Sequence, residues 1–173
     1  MKGKHAYVRW AIDVIEAYVK NGKAPEIPED IPHQLLELSA GVFVTLHGPN
    51  GELRGCIGTF MPAKDNLALE IRDNAIAAAT KDPRFNAVTP GELEDITVNV
   101  DVLTSPVEVD TIDELDPRRY GVIVQSGFKR GLLLPDIEGV DTVEQQLNIA
   151  KRKASIFDDE PVKIFKFEVN RYR

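Results

Sequence analysis

Apolar side chains recur at helical spacing between residues 5 and 20: Tyr7, Val8, Ala11, Ile12, Val14, Ile15, Tyr18 and Val19. This pattern predicts an amphipathic helix, with Asn21-Gly22 as its stop signal. Pro25, Pro28 and Pro32 make residues 23–33 an extended connector. Residues 41–47 and 53–60 read as strands around Pro49-Asn50-Gly51-Glu52, because Asn-Gly readily takes the positive φ angles of a tight turn. Asp65 or Asn66 can cap a helix that runs to about Thr80, and Asp82-Pro83-Arg84-Phe85 ends it. Thr89-Pro90 opens a short helical turn.

Further along, Ile96, Val98, Val100 and Val102 alternate with Thr97, Asn99 and Asp101, the period of a half-buried strand. Residues 120–126 and 130–134 form a second hairpin around Gly127-Phe128-Lys129. Asp141 can cap a helix to about Ser155, and Val162, Ile164, Phe165 and Phe167 mark a last strand over 162–169. The order is helix, hairpin, helix, strand, hairpin, helix, strand. Hairpins dominate, so the fold class is α+β with largely antiparallel sheets and about three main helices, not a doubly wound parallel fold.

The chain has 173 residues, the size of one ordinary domain, and 43% of them are hydrophobic against 28% charged. That is a globular composition able to bury a core. The net charge of −7 disfavours non-specific adhesion to nucleic acid or to an anionic membrane. Lys151-Arg152-Lys153 and Arg171-Tyr172-Arg173 are the dense basic segments. The single cysteine excludes an internal disulfide and fits a reducing, cytoplasmic compartment. Arg9, Asp13 and Glu16 interrupt the N-terminal apolar pattern, so it does not read as a secretory signal. No stretch approaches the roughly 18 apolar residues of a membrane span.

Chemistry concentrates on the first hairpin. With a turn of two or four residues, Thr45 opposes Cys56 and His47 opposes Arg54. One face then carries Thr45, His47, Arg54 and Cys56, while Val42, Val44, Leu46 and Ile57 face the core. A thiol is a nucleophile as its thiolate, which a nearby Arg or protonated His favours, so Cys56 and Arg54 are the catalytic candidates. Gly55 and Gly58 leave room for another backbone or a ligand. The competing reading is a small buried core cysteine, a solvated His47 beside the turn and Arg54 in an ordinary ion pair. A three-residue loop would shift the pairing by one and disperse the cluster.

Outside the hairpin, Asp82-Pro83-Arg84-Phe85 either aims Arg84 at an anion or merely breaks the helix. Asn99 and Asp101 either orient Arg54 or a substrate, or form a solvated sheet face. The histidines and the cysteine lack metal-ligand spacing, so no metal site is expected. Phosphate-loop, dinucleotide and Gly-x-Ser-x-Gly patterns are absent, and no cofactor is expected.

The string Leu53-Arg54-Gly55-Cys56-Ile57-Gly58-Thr59 resembles the signature of the AMMECR family, called in prokaryotes protein A of the AmmeMemoRadiSam system. Gly41-Val42-Phe43-Val44-Thr45-Leu46, Asp82-Pro83-Arg84-Phe85, Val102-Leu103-Thr104, Gly121-Val122-Ile123-Val124 and Arg130-Gly131-Leu132-Leu133-Leu134-Pro135 match in family order, over about residues 6–169. The resemblance implies one AMMECR-like domain over residues 1–173, with two lobes and the Arg-Gly-Cys-Ile-Gly segment near the cleft. It implies an enzyme or enzyme-system component modifying RNA or another macromolecule, associated with Memo-like and radical-SAM proteins. The other function it leaves open is a non-catalytic module or scaffold that binds a nucleotide, RNA or protein, with Cys56 structural. Carried over by motif, Arg54, Gly55, Cys56, Gly58, Thr59 and Arg84 are site residues, joined by Thr45, Asp101 and Lys153 as binding candidates. Ser155 replaces a glycine common in the family, Asn99 stands where many members have an acid, and Tyr120 where many have His.

Overall fold

The computed structural model describes residues 3–173. It contains α1 (Ala6–Asn21), α2 (Gln34–Glu37), β1 (Val42–His47), β2 (Leu53–Thr59), α3 (Leu67–Thr80), β3 (Thr97–Leu103), β4 (Val107–Glu108), β5 (Gly121–Ser126), β6 (Lys129–Leu133), α4 (Val143–Lys153), β7 (Lys163–Phe167) and β8 (Val169–Tyr172). Short 3-10 turns occupy Pro90–Glu92 and Ile112–Glu114. The fold is α+β, with three main helices, a four-residue α2 and two four-stranded sheets. The pairings β1–β2, β1–β3, β4–β7, β5–β6 and β5–β7 are all antiparallel. The chain divides into two compact units, residues 3–102 with 170–173, and residues 103–169.

The first unit holds the sheet β2-β1-β3-β8 with α1 and α3 against one face. Its core joins Val8, Ala11, Val14 and Ile15 of α1 to Leu67, Ile71 and Ala75 of α3 and to Val42, Val44, Leu46, Val98 and Val100 of the sheet. Trp10 is buried too, and its indole N–H donates to the Ala68 carbonyl at 2.9 Å. Gly22 ends α1 with φ 70° and gives its N–H to Tyr18, the left-handed cap that glycine supplies without strain. Asn66 caps α3 by accepting from the Leu69 N–H.

The second unit holds β4-β7-β5-β6, with α4 packed on β5 and β6. Val122, Val124, Leu133, Leu147, Ala150 and Ile156 form its core. A Cβ on Gly131 would overlap the Ala150 carbonyl, so glycine sets how closely α4 approaches β6. The β5–β6 turn has Ser126 opposite Lys129, with Gly127 at φ 54° and Phe128 between them.

Several expectations are corrected. Thr142, not Asp141, caps α4: it accepts from the Gln145 N–H, and the Gln145 side chain accepts from Thr142 N in return. This Thr-x-x-Gln capping box outcompetes a lone Asp because it satisfies donors at both ends. The helix stops at Lys153 rather than Ser155, which has φ 53°. The expected strand over 162–169 is two strands: β7 ends at Phe167, and β8 joins the other sheet. The elements α2 and β4 are too short to show a period.

Candidate functional site

The register of β1 and β2 sets Thr45 opposite Cys56, as turn arithmetic predicts, and Leu46 opposite Gly55. A bulge between Leu46 and His47 then pairs His47 with Leu53, not with Arg54. The extra residue is Arg54 itself, an irregularity that simple pairing counts do not contain. On the other side of β1, Asn99 lies opposite Thr45, Asp101 opposite Phe43 and Thr97 opposite His47. The face of the sheet away from the helices therefore carries a row Cys56–Thr45–Asn99 across three strands, with His47 at one end and Phe43 at the other.

Cys56 is half-buried, and its Sγ lies 3.2 Å from Thr45 Oγ1. His47 does not address the thiol. Its Nδ1 lies 3.2 Å from the Gly51 carbonyl, to which it must donate, and its Nε2 lies 3.2 Å from the Asn99 amide nitrogen. These partners suit Nδ1 as the donor and Nε2 as the acceptor.

β2 is a sheet edge, so the outward N–H and C=O of Cys56 have no neighbouring strand. Asp82 and Arg84 supply the missing partners. The Cys56 N–H donates to Asp82 Oδ2 at 2.9 Å, and an Arg84 Nη donates to the Cys56 carbonyl at 3.4 Å. The two side chains are joined by a forked pair, Nε to Oδ1 at 2.9 Å and Nη to Oδ2 at 2.7 Å. The Asp82 side chain is 2% exposed and that of Arg84 54%. The guanidinium of Arg84 holds the Asp82 carboxyl well below the usual carboxylate range, against burial that pushes it up, and the Cys56 and Arg84 N–H groups help. In return Asp82, opposed in part by desolvation, raises the pKa of Arg84, and negative charge at Cys56 would raise it further.

Arg54 shares the face with Cys56 but is committed elsewhere. Its Nε donates to Glu92 at 2.8 Å and its Nη1 to the Asn86 carbonyl at 3.0 Å. That ion pair, with the Thr89 N–H, lowers the Glu92 carboxyl to about 2 despite some desolvation. Phe85 lies between the two guanidiniums, with its ring centre 5.9 Å from Arg54 and 5.5 Å from Arg84. The expectation that Arg84 aims at an anion thus meets an anion of the chain itself. Asp82 and Glu92 are site residues that the sequence reading does not single out, and Phe85, there an anchor at the helix break, also meets both guanidiniums. The one local hint was an acid two places before Arg84 on a rigid Pro corner.

The remaining candidates separate. Gly55 and Thr59 face the helices. A Cβ on Gly55 would overlap the Ala78 carbonyl, and Thr59 donates to Glu70 and accepts from Asn74, both buried. Gly58 lies under the Phe43 ring. The room left by both glycines is therefore filled by the protein's own atoms. Asp101, 4% exposed, is held by Arg171 at 2.9 and 3.1 Å, and not by Arg54. Lys153 belongs to the second unit, where its ammonium donates to the Leu132 carbonyl at 2.9 Å. Among the described residues no three His, Cys, Asp or Glu side chains converge as metal ligands would, and no helix is long and apolar enough to cross a membrane.

A model of the AMMECR1 family matches residues 8–172. The chain belongs to the AMMECR1 family. A Thermotoga maritima protein is 62% identical over 174 residues, covering all of both chains. A Clostridium acetobutylicum protein is 50% identical over 171 residues, 98% of this chain but 36% of that longer relative. The crystal structure of an uncharacterized protein from Pyrococcus horikoshii superposes with a TM-score of 0.84 at 36% identity, covering 95% of this chain and 88% of that one. AMMECR1 membership and the α+β fold are thus established, and the Arg54–Thr59 string lies on β2 and on into its last residue.

Proposed function

We infer that the face around Cys56 is the working site of an enzyme, or of a component of an enzyme system, that modifies a macromolecule such as RNA. Cys56 would be its reacting group, and Thr45 and Asn99 would bind substrate. One observation carries this reading: the chain's single thiol lies half-exposed on the polar side of the sheet, beside a hydroxyl, with its backbone N–H and C=O both bonded by side chains. Arg84, bonded to the Cys56 carbonyl and paired with Asp82, is the cation next to Cys56, while Arg54 is held by Glu92 and Asn86. A cytoplasmic setting belongs to the same reading, because a free thiol serves this role in a reducing compartment. Work alongside Memo-like and radical-SAM proteins follows from the family resemblance.

Iodoacetamide labelling followed against pH tests the reacting group. The reading requires alkylation to persist below the pH at which an ordinary thiol, ionising near about 8.5, stops reacting. A profile matching a free thiol, or a thiol that never labels in the folded chain, sinks it. The second reading is a non-catalytic binding module in which Cys56 merely packs: Asp82 and Glu92 neutralise both guanidiniums, which leaves no unpaired arginine beside the thiol to activate it. There Cys56→Ala would leave ligand protection against heat intact.

A further inference from the structure

The tip of the β5–β6 hairpin carries Phe128, whose ring is fully exposed, at 109%. Folding of the second unit does not explain it. A two-residue turn needs glycine where Gly127 stands, while the next position accepts polar residues that water would favour. Beside the same tip lies a hollow of about 380 Å³, lined by Gln125, Gly127, Pro161, Val162 and Lys163. Pro161 and Val162 give it apolar walls, Gly127 contributes bare backbone, and Lys163 adds its aliphatic stem. The Phe128 ring does not fill this hollow, since all of its surface meets water. A knob and a hole thus stand side by side, both unoccupied by the chain's own atoms.

Gly131 tells the two faces of the hairpin apart. A side chain there would meet α4, so Lys129 and its partner Ser126 face α4, while Arg130, Gln125 and Lys163 face the other way. On the α4 side Glu160 pairs with Lys129 and accepts from Ser126, and Asp158 pairs with Lys151. The acid between them, Asp159, is exposed and forms no ion pair among the described residues. On the other side Lys163 is held by an exposed 3.4 Å contact to Glu108, which water weakens. Charges around the tip are therefore matched pairwise, on a chain whose net charge of −7 makes two copies repel elsewhere. Ile112, another exposed apolar side chain, stands instead among Asp110, Asp113 and Glu114.

We propose that the tip of the β5–β6 hairpin is the contact surface of a reversible two-fold dimer of this chain. Phe128 of each copy enters the hollow beside Gly127 of the other, and Asp159 of each copy meets Lys163 of the other. A knob and a hole that are neighbours on one surface satisfy each other twice when a second copy is turned about a two-fold axis, and the contact then closes instead of propagating. The opposite charges on the two flanks of the tip are used twice by the same rotation. A different protein would need its own ring and its own hollow at the same spacing, whereas a second copy brings both. Two rings and the walls they cover make a small interface, so the dimer forms and dissociates with concentration. The proposal does not rest on the Cys56 reading: thiol labelling and oligomeric state are separate measurements, and either can fail alone.

Sedimentation equilibrium of the full chain, from micromolar to millimolar concentration, tests it. The native chain should pass from monomer to dimer and stop there. Phe128→Ser should raise the dimer dissociation constant about tenfold or more, with the thermal midpoint of the dilute monomer unchanged because the ring is already in water. Asp159→Lys and Lys163→Asp should each weaken the dimer by setting like charges together, and the double exchange should restore it. A chain that stays monomeric at millimolar concentration overturns the proposal. So do a dimer indifferent to Phe128→Ser, assembly beyond the dimer, and single charge reversals that the double exchange does not rescue. Co-sedimentation with phosphatidylserine–phosphatidylcholine vesicles is the second arm: capture of a monomeric chain through Phe128 assigns the tip to a membrane and likewise overturns it.

Discussion

Removing the Asp82 carboxylate leaves the Cys56 N–H and the Arg84 guanidinium without their shared partner. Because Arg84 is half exposed, water recovers part of the loss, and Asp82→Ala should cost about 1–3 kcal/mol by chemical denaturation. The pH dependence has a definite sign. A carboxyl lowered in the folded chain stabilises it fully above its unfolded value of 3.8, and that contribution drains as pH falls through the folded value. The advantage of the native chain over Asp82→Asn should therefore be largest at neutral pH and shrink below about pH 4. Gly55 tests the opposite kind of constraint. A methyl there meets the backbone carbonyl of Ala78, which cannot swing aside, so Gly55→Ala should lose about 1–3 kcal/mol or more. Gly91, with open space around it, is the control: Gly91→Ala should stay within about 0.5 kcal/mol in the same denaturation series.

Among the elements, the capping box of α4 separates two neighbouring residues. Thr142→Ala removes a side-chain acceptor from the Gln145 N–H and should cost about 1 kcal/mol. Asp141→Ala removes only an exposed 3.7 Å contact with Arg118, because Gln145 is bonded to the Asp141 backbone, and should be nearly neutral. Thermal melts of the two variants check the contrast. Elements like these divide sharply in how far the sequence reveals them. α1, α3, β1 and β3 repeat an apolar period over several turns or alternations, so Val8, Ile71, Val44 and Val100 announce their buried side directly. β4 has two residues and α2 four, too few for any period to emerge. The Thr45–Cys56 pairing was legible because a local turn sets it. The bulge at Arg54 was not, nor were the partners of Arg54 and Cys56, which lie 38 and 26 residues away and depend on where α3 delivers the chain.

At the scale of the whole molecule, two separately buried clusters support the two sheets. A methyl on Gly131 would push against the α4 backbone, so Gly131→Ala should release the second unit first. Hydrogen exchange should show amides of β5, β6 and α4 losing protection well before those of β1 and β3. The order of the chain has its own consequence. β3 gains its outer neighbour from β8, and Asp101 gains Arg171, only after residues 103–169 have been made. A ribosome therefore makes all of residues 103–169 while β3 still lacks that neighbour and Asp101 still lacks its cation. A nascent chain stalled before Asn170 should expose β3 to any passing strand, so the emergence of β8, rather than that of α3, sets the moment at which the first sheet can close.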